Sequence, residues 1–184
     1  MENLYLRAFE YSDLSLLNTI RNDDILYQTT GGNKYFISSE YDKKWIEDKI
    51  FNNYKQLYLV ICSRDIDEPI GYVCATNIDY VNRKAEWGAL VVSKEFSSKG
   101  FATDAGYLLL DHLYQELGMN MVYAYVKEDN KASYRISQKC GFKEDGLIRD
   151  FVYKQNSFHN VYIFTLLKSD YEKLQLQKKE SLAN

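Results

Sequence analysis

The stretch best suited to chemistry is residues 97–103, Ser-Ser-Lys-Gly-Phe-Ala-Thr, between an apolar run at 89–92 and a segment patterned as a helix. Gly100 has no Cβ, so another molecule can approach the main chain, and the first-turn N–H groups of the following helix concentrate partial positive charge. Such a junction suits an anion. The spacing excludes the commoner phosphate loops: residues 100–106, Gly-Phe-Ala-Thr-Asp-Ala-Gly, match neither G-x-G-x-x-G nor a loop ending in Gly-Lys-Ser/Thr. On these residues alone, a plain strand-to-helix turn containing glycine is an equal reading.

Other residues have suitable types and spacing. Asn130, Ser133 and Ser137 stand at i, i+3 and i+7, so a helix over 131–139 gathers them into one polar stripe, with Ala132, Ile136 and Cys140 forming an apolar row. Asn130 is equally an N-cap, and Phe142 the apolar residue that closes the helix beyond Gly141. Glu86 shares a side of an alternating strand with Gly88 and Leu90, and is the preferred candidate for a general base, directly or through water. The competing reading is a solvated carboxylate at a strand end. His112 and His159 belong to no recognisable triad, and Cys62, Cys74 and Cys140 read as reduced, buried thiols. No Cys and His cluster suggests a metal.

Periodicity supplies the elements that must position these groups. Strands are expected at 4–9, 56–62, 70–78, 84–93, 121–127, 147–153 and 161–167, and helices at 13–22, from Ser39, at 103–117 and at 131–139. Ser39 and Asp42 stand three apart as in a capping box, and the charged tail after 169 is a helix or a frayed end. The short connections between the second, third and fourth strands predict an antiparallel meander. The economical way to bury this order is an α/β fold with a central mixed sheet and helices on its faces.

Composition narrows the function classes. The 184 residues carry 23 basic and 26 acidic side chains, a formal charge of −3, and fit one domain over residues 1–184. Scattered charge and a pI near 5.5 give no basic stripe for nucleic acid. The longest apolar runs, at 57–62 and 121–126, fall far short of the roughly 18 residues that span a bilayer. A cytoplasmic address is the default reading of the N-terminal residues, which lack a secretory pattern.

Residues 97–102, Ser-Ser-Lys-Gly-Phe-Ala, resemble the pyrophosphate loop Gln/Arg-x-x-Gly-x-Gly/Ala of the GCN5-related N-acetyltransferase (GNAT) superfamily, departing at Ser97. Residues 130–133, 139–142, 145–146 and the opening Leu6-Arg7-Ala8 continue the likeness, which resembles the branch of ribosomal-protein N-terminal and polyamine acetyltransferases. The resemblance implies a mixed, mostly antiparallel sheet whose fourth and fifth strands splay apart, with acetyl-coenzyme A (acetyl-CoA) as cosubstrate and no metal. It implies that the backbone of Ser98, Lys99, Gly100, Phe101, Ala102 and Thr103 holds the pyrophosphate, that Leu90, Val91 and Val92 bond the pantetheine amides, and that Asn130 and Ser133 line the cofactor. An N–H near Leu90 or Val91 then serves the thioester carbonyl, while Ser137 stands where many members carry a tyrosine that protonates the thiolate. The acceptor is a primary amine, a protein N-terminus or a small molecule, with Asp23, Asp24, Tyr27, Tyr35 and the hairpin at 154–159 as its expected side. Where members often have aspartate, Asn160 stands. A homodimer is compatible with this reading, and the alternative function is a catalytically silent acyl-CoA-binding regulatory module. Because only a neutral amine attacks a thioester, the acceptor sets the burden on a base: about 4.6 kcal/mol at pH 7 for a lysine-like amine, about 1 kcal/mol for an α-amine.

Overall fold

The computed structural model describes residues 3–29, 36–91, 96 and 99–183. Leu4–Ala8 (β1) leads through one 3-10 turn to Leu14–Arg21 (α1), Asp24–Thr29 (α2) and Ser39–Phe51 (α3). Then come Leu57–Ser63 (β2), Glu68–Asp79 (β3), Lys84–Val91 (β4), Phe101–Asp111 (α4), Met121–Lys127 (β5), Lys131–Lys139 (α5), Lys143–Lys154 (β6), Ser157–Leu167 (β7) and Lys168–Ala183 (α6). The sheet has seven strands in the order β1-β2-β3-β4-β5-β7-β6. Every neighbouring pair is antiparallel except β4 and β5.

Alternation along the strands sorts side chains onto two faces. On one, Val73, Ala75, Ala85 and Trp87 pack with Ala105, Leu109 and Leu110 of α4 and Tyr171 of α6. On the other, Val60 and Cys62 meet Leu17 of α1 and Ile46 of α3, with Trp45, Tyr58 and Tyr72 around them. Glu86 therefore looks toward the α1/α3 side, while its neighbour Trp87 looks toward α4.

The parallel pair is short. β4 and β5 are joined at Lys84↔Met121, Ala85↔Val122 and Glu86↔Tyr123 and no further. Beyond Glu86, β4 stays on β3, as far as Val91↔Gly71, while β5 stays on β7, as far as Lys127↔Val161. The splay expected from the family resemblance thus starts at Glu86. Trp87, the first residue past the pairing, packs 5.2 Å from Phe142 and fills the space left by the missing side chain of Gly106, where a Cβ would come within 2.8 Å of the indole. That contact explains a glycine inside α4, which otherwise costs roughly 0.5–1 kcal/mol relative to alanine.

α5 ends as its sequence predicts. Gly141 takes φ 92°, its N–H bonds the Gln138 carbonyl at 3.0 Å, and the Phe142 N–H bonds the Ser137 carbonyl at 3.0 Å, with Phe142 buried behind. α4 closes with a single π-type turn, the Leu117 N–H reaching the His112 carbonyl at 3.1 Å. The expected helix at 103–117 therefore begins two residues earlier and changes pitch after Asp111.

Two local expectations are corrected. α3 starts at Ser39, but its cap is Ser38, whose Oγ accepts from the Tyr41 N–H at 3.2 Å. Asp42 closes no capping box with Ser39: it is buried, accepts from Asn18 Nδ2 at 2.8 Å, and lies 3.0 Å from Arg21 Nε as an ion pair without hydrogen-bond alignment. The junction after α1 holds an additional short helix, α2, opened by Asp23, whose carboxylate accepts from the Leu26 N–H at 2.8 Å. Ser38→Ala is expected to lower stability by about 1 kcal/mol and Ser39→Ala by less than about 0.5 kcal/mol, read from urea midpoints; the reverse order would restore Ser39 as the cap.

Candidate active site

The fork encloses a cleft of about 340 Å³. Glu86, Trp87 and Gly88 of β4 form one wall, and Ala124, Tyr125, Val126 and Lys127 of β5 the other. Asn130, Ser133, Ile136 and Ser137 close it from α5, and Phe151, Val152 and Val161 from the β6–β7 pair. Because the wall takes residues of both parities from β5, the cleft passes from one face of the sheet to the other.

Four predicted residues meet here: Glu86, Asn130, Ser133 and Ser137. Asn130 performs both roles weighed in the sequence, since it lines the cleft while its Oδ1 accepts from the Ser133 N–H at 3.0 Å and caps α5. Ser137 is 1% exposed, and its hydroxyl has no protein partner among the described residues. Trp87 Nε1 is also buried without a partner. Leaving such a group unsatisfied costs on the order of 1–3 kcal/mol, which a bound polar group can relieve. Glu86 is half-buried and accepts from Asn77 Nδ2 at 2.8 Å through Oε2.

The predicted anion junction lies at the start of α4. Gly100 adopts φ 92° as the N-cap, with no heavy atom of the described residues within 4 Å of where a Cβ would stand, and its carbonyl accepts from the Asp104 N–H at 3.0 Å. Lys99 is exposed beside it, its Nζ 5.7 Å from the Phe96 ring, which meets Phe101 edge-on; Ala102 and Thr103 follow in the first turn. The Thr103 carbonyl is 3.9 Å from Cys140 Sγ, tying this end of α4 to the end of α5. The backbone of Leu90 and Val91 continues β4 past the fork, paired on its β3 side with Tyr72 and Gly71. Val92 and Ser98 lie outside the described residues, as does Tyr35.

On the expected acceptor side, Lys154 at the end of β6 is wholly buried with its Nζ 3.9 Å from the Tyr27 ring, so α2 and the β6–β7 hairpin come together. Burial, and secondly the nearby Lys127 charge, hold the Lys154 pKa below the ordinary lysine range. Asp23, Asp24 and Tyr27 are not in the cleft wall; Asp23 caps α2 and Asp24 sits in its first turn. Asn160 latches the strand ends, donating from Nδ2 to Glu128 at 3.0 Å and accepting from the Asp150 N–H at 3.0 Å.

Sequence reasoning missed Tyr125, Lys127 and Phe151. Lys127 is nearly buried in the cleft and paired with Asp129 at 2.6 Å, and Phe151 stacks on Tyr125 at 5.1 Å. The signal was available for β5, where Tyr123, Tyr125 and Lys127 alternate with the buried Val122, Ala124 and Val126, but an apolar run read as fully buried conceals it.

No thiol here is poised for attack. Burial pushes Cys140 up to about 12 and Cys74 up to about 12. Among the described residues no His, Cys, Asp and Glu group is arranged to hold a metal, and no described helix is long and apolar enough to cross a membrane.

Residues 3–143 match the acetyltransferase (GNAT) domain family. The chain belongs to that family. It is 35% identical over 102 residues to Bacillus subtilis YdaF, which carries the name of a ribosomal N-acetyltransferase, and this match spans about half of each chain, 55%. It is 24% identical over 168 residues to the spermidine N(1)-acetyltransferase of Vibrio cholerae, covering 91% of this chain and 95% of that one. Among solved structures, the Vibrio cholerae spermidine N-acetyltransferase in complex with CoA and spermine superposes with a TM-score of 0.85 at 24% identity, covering 93% of this chain and 99% of that one. A crystal structure described as a probable acetyltransferase gives 0.82 at 27% identity, covering 92% and 96%. These GNAT-family folds match the seven-stranded mixed sheet and its parallel β4–β5 pair. GNAT enzymes use acetyl-CoA as acyl donor.

With a pKa near 12, only about 1 in 10,000 Cys140 thiols is ionised at pH 8. Iodoacetamide should therefore leave Cys140 unlabelled in the native protein and label it in urea, by peptide mass spectrometry; rapid native labelling would reopen a covalent route.

Proposed function

We propose that this protein, as a single domain over residues 1–184, transfers the acetyl group of acetyl-CoA directly to a primary amine. The observation that carries the reading is the fork: two parallel strands part at Glu86 and leave a cleft through the sheet with a half-buried carboxylate at its apex and an unpartnered hydroxyl, Ser137, in its wall.

Acetyl-CoA fits the donor side. The first-turn N–H groups from Gly100 to Thr103, which have no carbonyl within the helix to bond, suit its diphosphate, and the absence of a Cβ at Gly100 allows close approach. The edge of Leu90 and Val91 that faces away from β3 suits the pantetheine amides, and one N–H there suits the oxygen of the reacting carbonyl; a donor of this kind is worth about 100- to 1,000-fold in rate. Asn130 and Ser133 line the same path. Ser137, in place of a phenol, offers its hydroxyl to the departing sulfur or to a water beside it.

The amine, from a protein N-terminus or a small molecule, comes from the other face, where Glu86, Tyr125, Lys127 and Phe151 lie. Glu86 takes its proton as the nitrogen attacks, and the Lys154–Tyr27 contact holds α2 against the acceptor end, with Asp23 and Asp24 on the same helix start. Raised thiol pKa values argue against an acetyl-enzyme.

Glu86→Gln should lower turnover roughly 100-fold at neutral pH, with partial recovery at high pH where the amine loses its proton unaided, measured as thiol release from acetyl-CoA. An unchanged pH profile would remove Glu86 as the base. Gly100→Trp should abolish acetyl-CoA binding by calorimetry while leaving the circular dichroism spectrum intact, because a side chain there fills the approach to the α4 N-terminus. Undiminished binding would place the cofactor elsewhere, and binding without turnover on peptides, polyamines and amino sugars would identify a silent module.

A further inference from the structure

β3 carries an irregularity that its own packing does not require. The β3–β4 register is regular from Gly71↔Val91 to Thr76↔Glu86 and then slips before Asp79↔Lys84. In the slip, Asn77 adopts φ 48°, a left-handed conformation that asparagine tolerates better than most residues but that still carries strain. The consequence is local and specific: Asn77 Nδ2 donates to Glu86 Oε2 at 2.8 Å, while Glu86 Oε1 has no hydrogen-bond partner among the described residues. Tyr123, paired with Glu86 across the last rung of β4–β5, feels the same amide. Three strands therefore bring one side chain each to the apex of the fork. Asn77 also lines a separate groove of about 560 Å³, with Asn53, Tyr54, Gln56 and Thr76, while Glu86, to which its amide donates, lines the cleft.

We propose that Asn77 is a positioning residue for the transfer reaction: the bulge of β3 exists to aim its amide at one oxygen of Glu86, locking the carboxylate so that the other oxygen faces the incoming amine. Bulges recur beside active sites because they re-aim a single side chain in this way. The inference rests on Glu86 being the base.

A donor bonded to one carboxylate oxygen fixes the direction of the group, so removing it frees the Glu86 side chain to turn away from the amine. The other groups whose charge bears on Glu86 are Tyr58 of β2, Cys74 of β3 and Tyr123 of β5. Burial raises all three, Cys74 to about 12, so all three stay neutral near pH 7 and none competes with Glu86 for the amine's proton. Lys127 lines the same cleft, paired with Asp129 at 2.6 Å.

Asn77→Gly is the informative variant, because glycine accepts φ 48° and only the amide is lost. With spermidine and a serine-initiated peptide as acceptors, it should lower kcat about 10-fold and leave the KM for acetyl-CoA unchanged. Asn77→Asp, which faces one carboxylate with another, should lower kcat further. In the Glu86→Gln background, Asn77→Gly should have no further effect on kcat. If Glu86→Gln cripples the enzyme but Asn77→Gly leaves kcat as in wild type, or lowers it equally in the Glu86→Gln background, the positioning role is wrong. If Glu86→Gln itself changes nothing, the base assignment fails and takes this inference with it.

Discussion

Parallel pairing that stops after three rungs is the constraint on which the rest depends. β4 and β5 each have a better-matched antiparallel neighbour, and each follows that neighbour once the shared register ends at Glu86 and Tyr123. The indole of Trp87, set against Gly106 and Phe142, occupies the space beneath the divergence. Main-chain groups along the open edges are left for solvent or a ligand, and a buried main-chain group without a partner is expensive. Among the described residues, β4 beyond Glu86 is paired only with β3 and β5 beyond Tyr123 only with β7, which suits the proposed binding of an amide-rich cosubstrate arm.

Strand alternation then divides the labour. Odd and even positions around the apex look to opposite faces: Trp87 to the α4 side, where the helix N-terminus and α5 stand, and Glu86 to the side of α1, α3 and the β6–β7 hairpin. Donor and acceptor can approach through different mouths and meet in one cleft. The thiols nearest the site are kept neutral by burial, in keeping with the proposal that Glu86 and Ser137 carry the chemistry.

Local signals carried much of this. Met121–Lys127 and Lys131–Lys139 have the bounds their patterns predict, because an apolar run and a four-residue repeat closed by Gly141 leave few alternatives. The glycine at the entry to α4 was legible for the same reason. Long-range competition was not. Asp42 looks like a capping partner for Ser39 until Asn18 and Arg21, more than twenty residues away, claim it, and the cap passes to Ser38. The length of β6 was underestimated because slips in its pairing with β7 break the alternation, with Asp150 at φ 52° inside one of them. The splay itself followed from family resemblance rather than from any periodicity, since pairing length is decided by partners that no window of sequence contains. Asn77 was invisible because a bulge has no pattern, and Lys127 because it directly follows an apolar run and reads as its polar end.

Hydrogen exchange of the main-chain amides at the fork tests the central claim most directly. The amides of 87–91 that face away from β3 and those of 124–126 that face away from β7 should exchange quickly in the free protein and become strongly protected when CoA is added. Full protection of those amides without CoA, or protection on CoA binding confined to other parts of the chain, would contradict a cleft formed by the parting of β4 and β5.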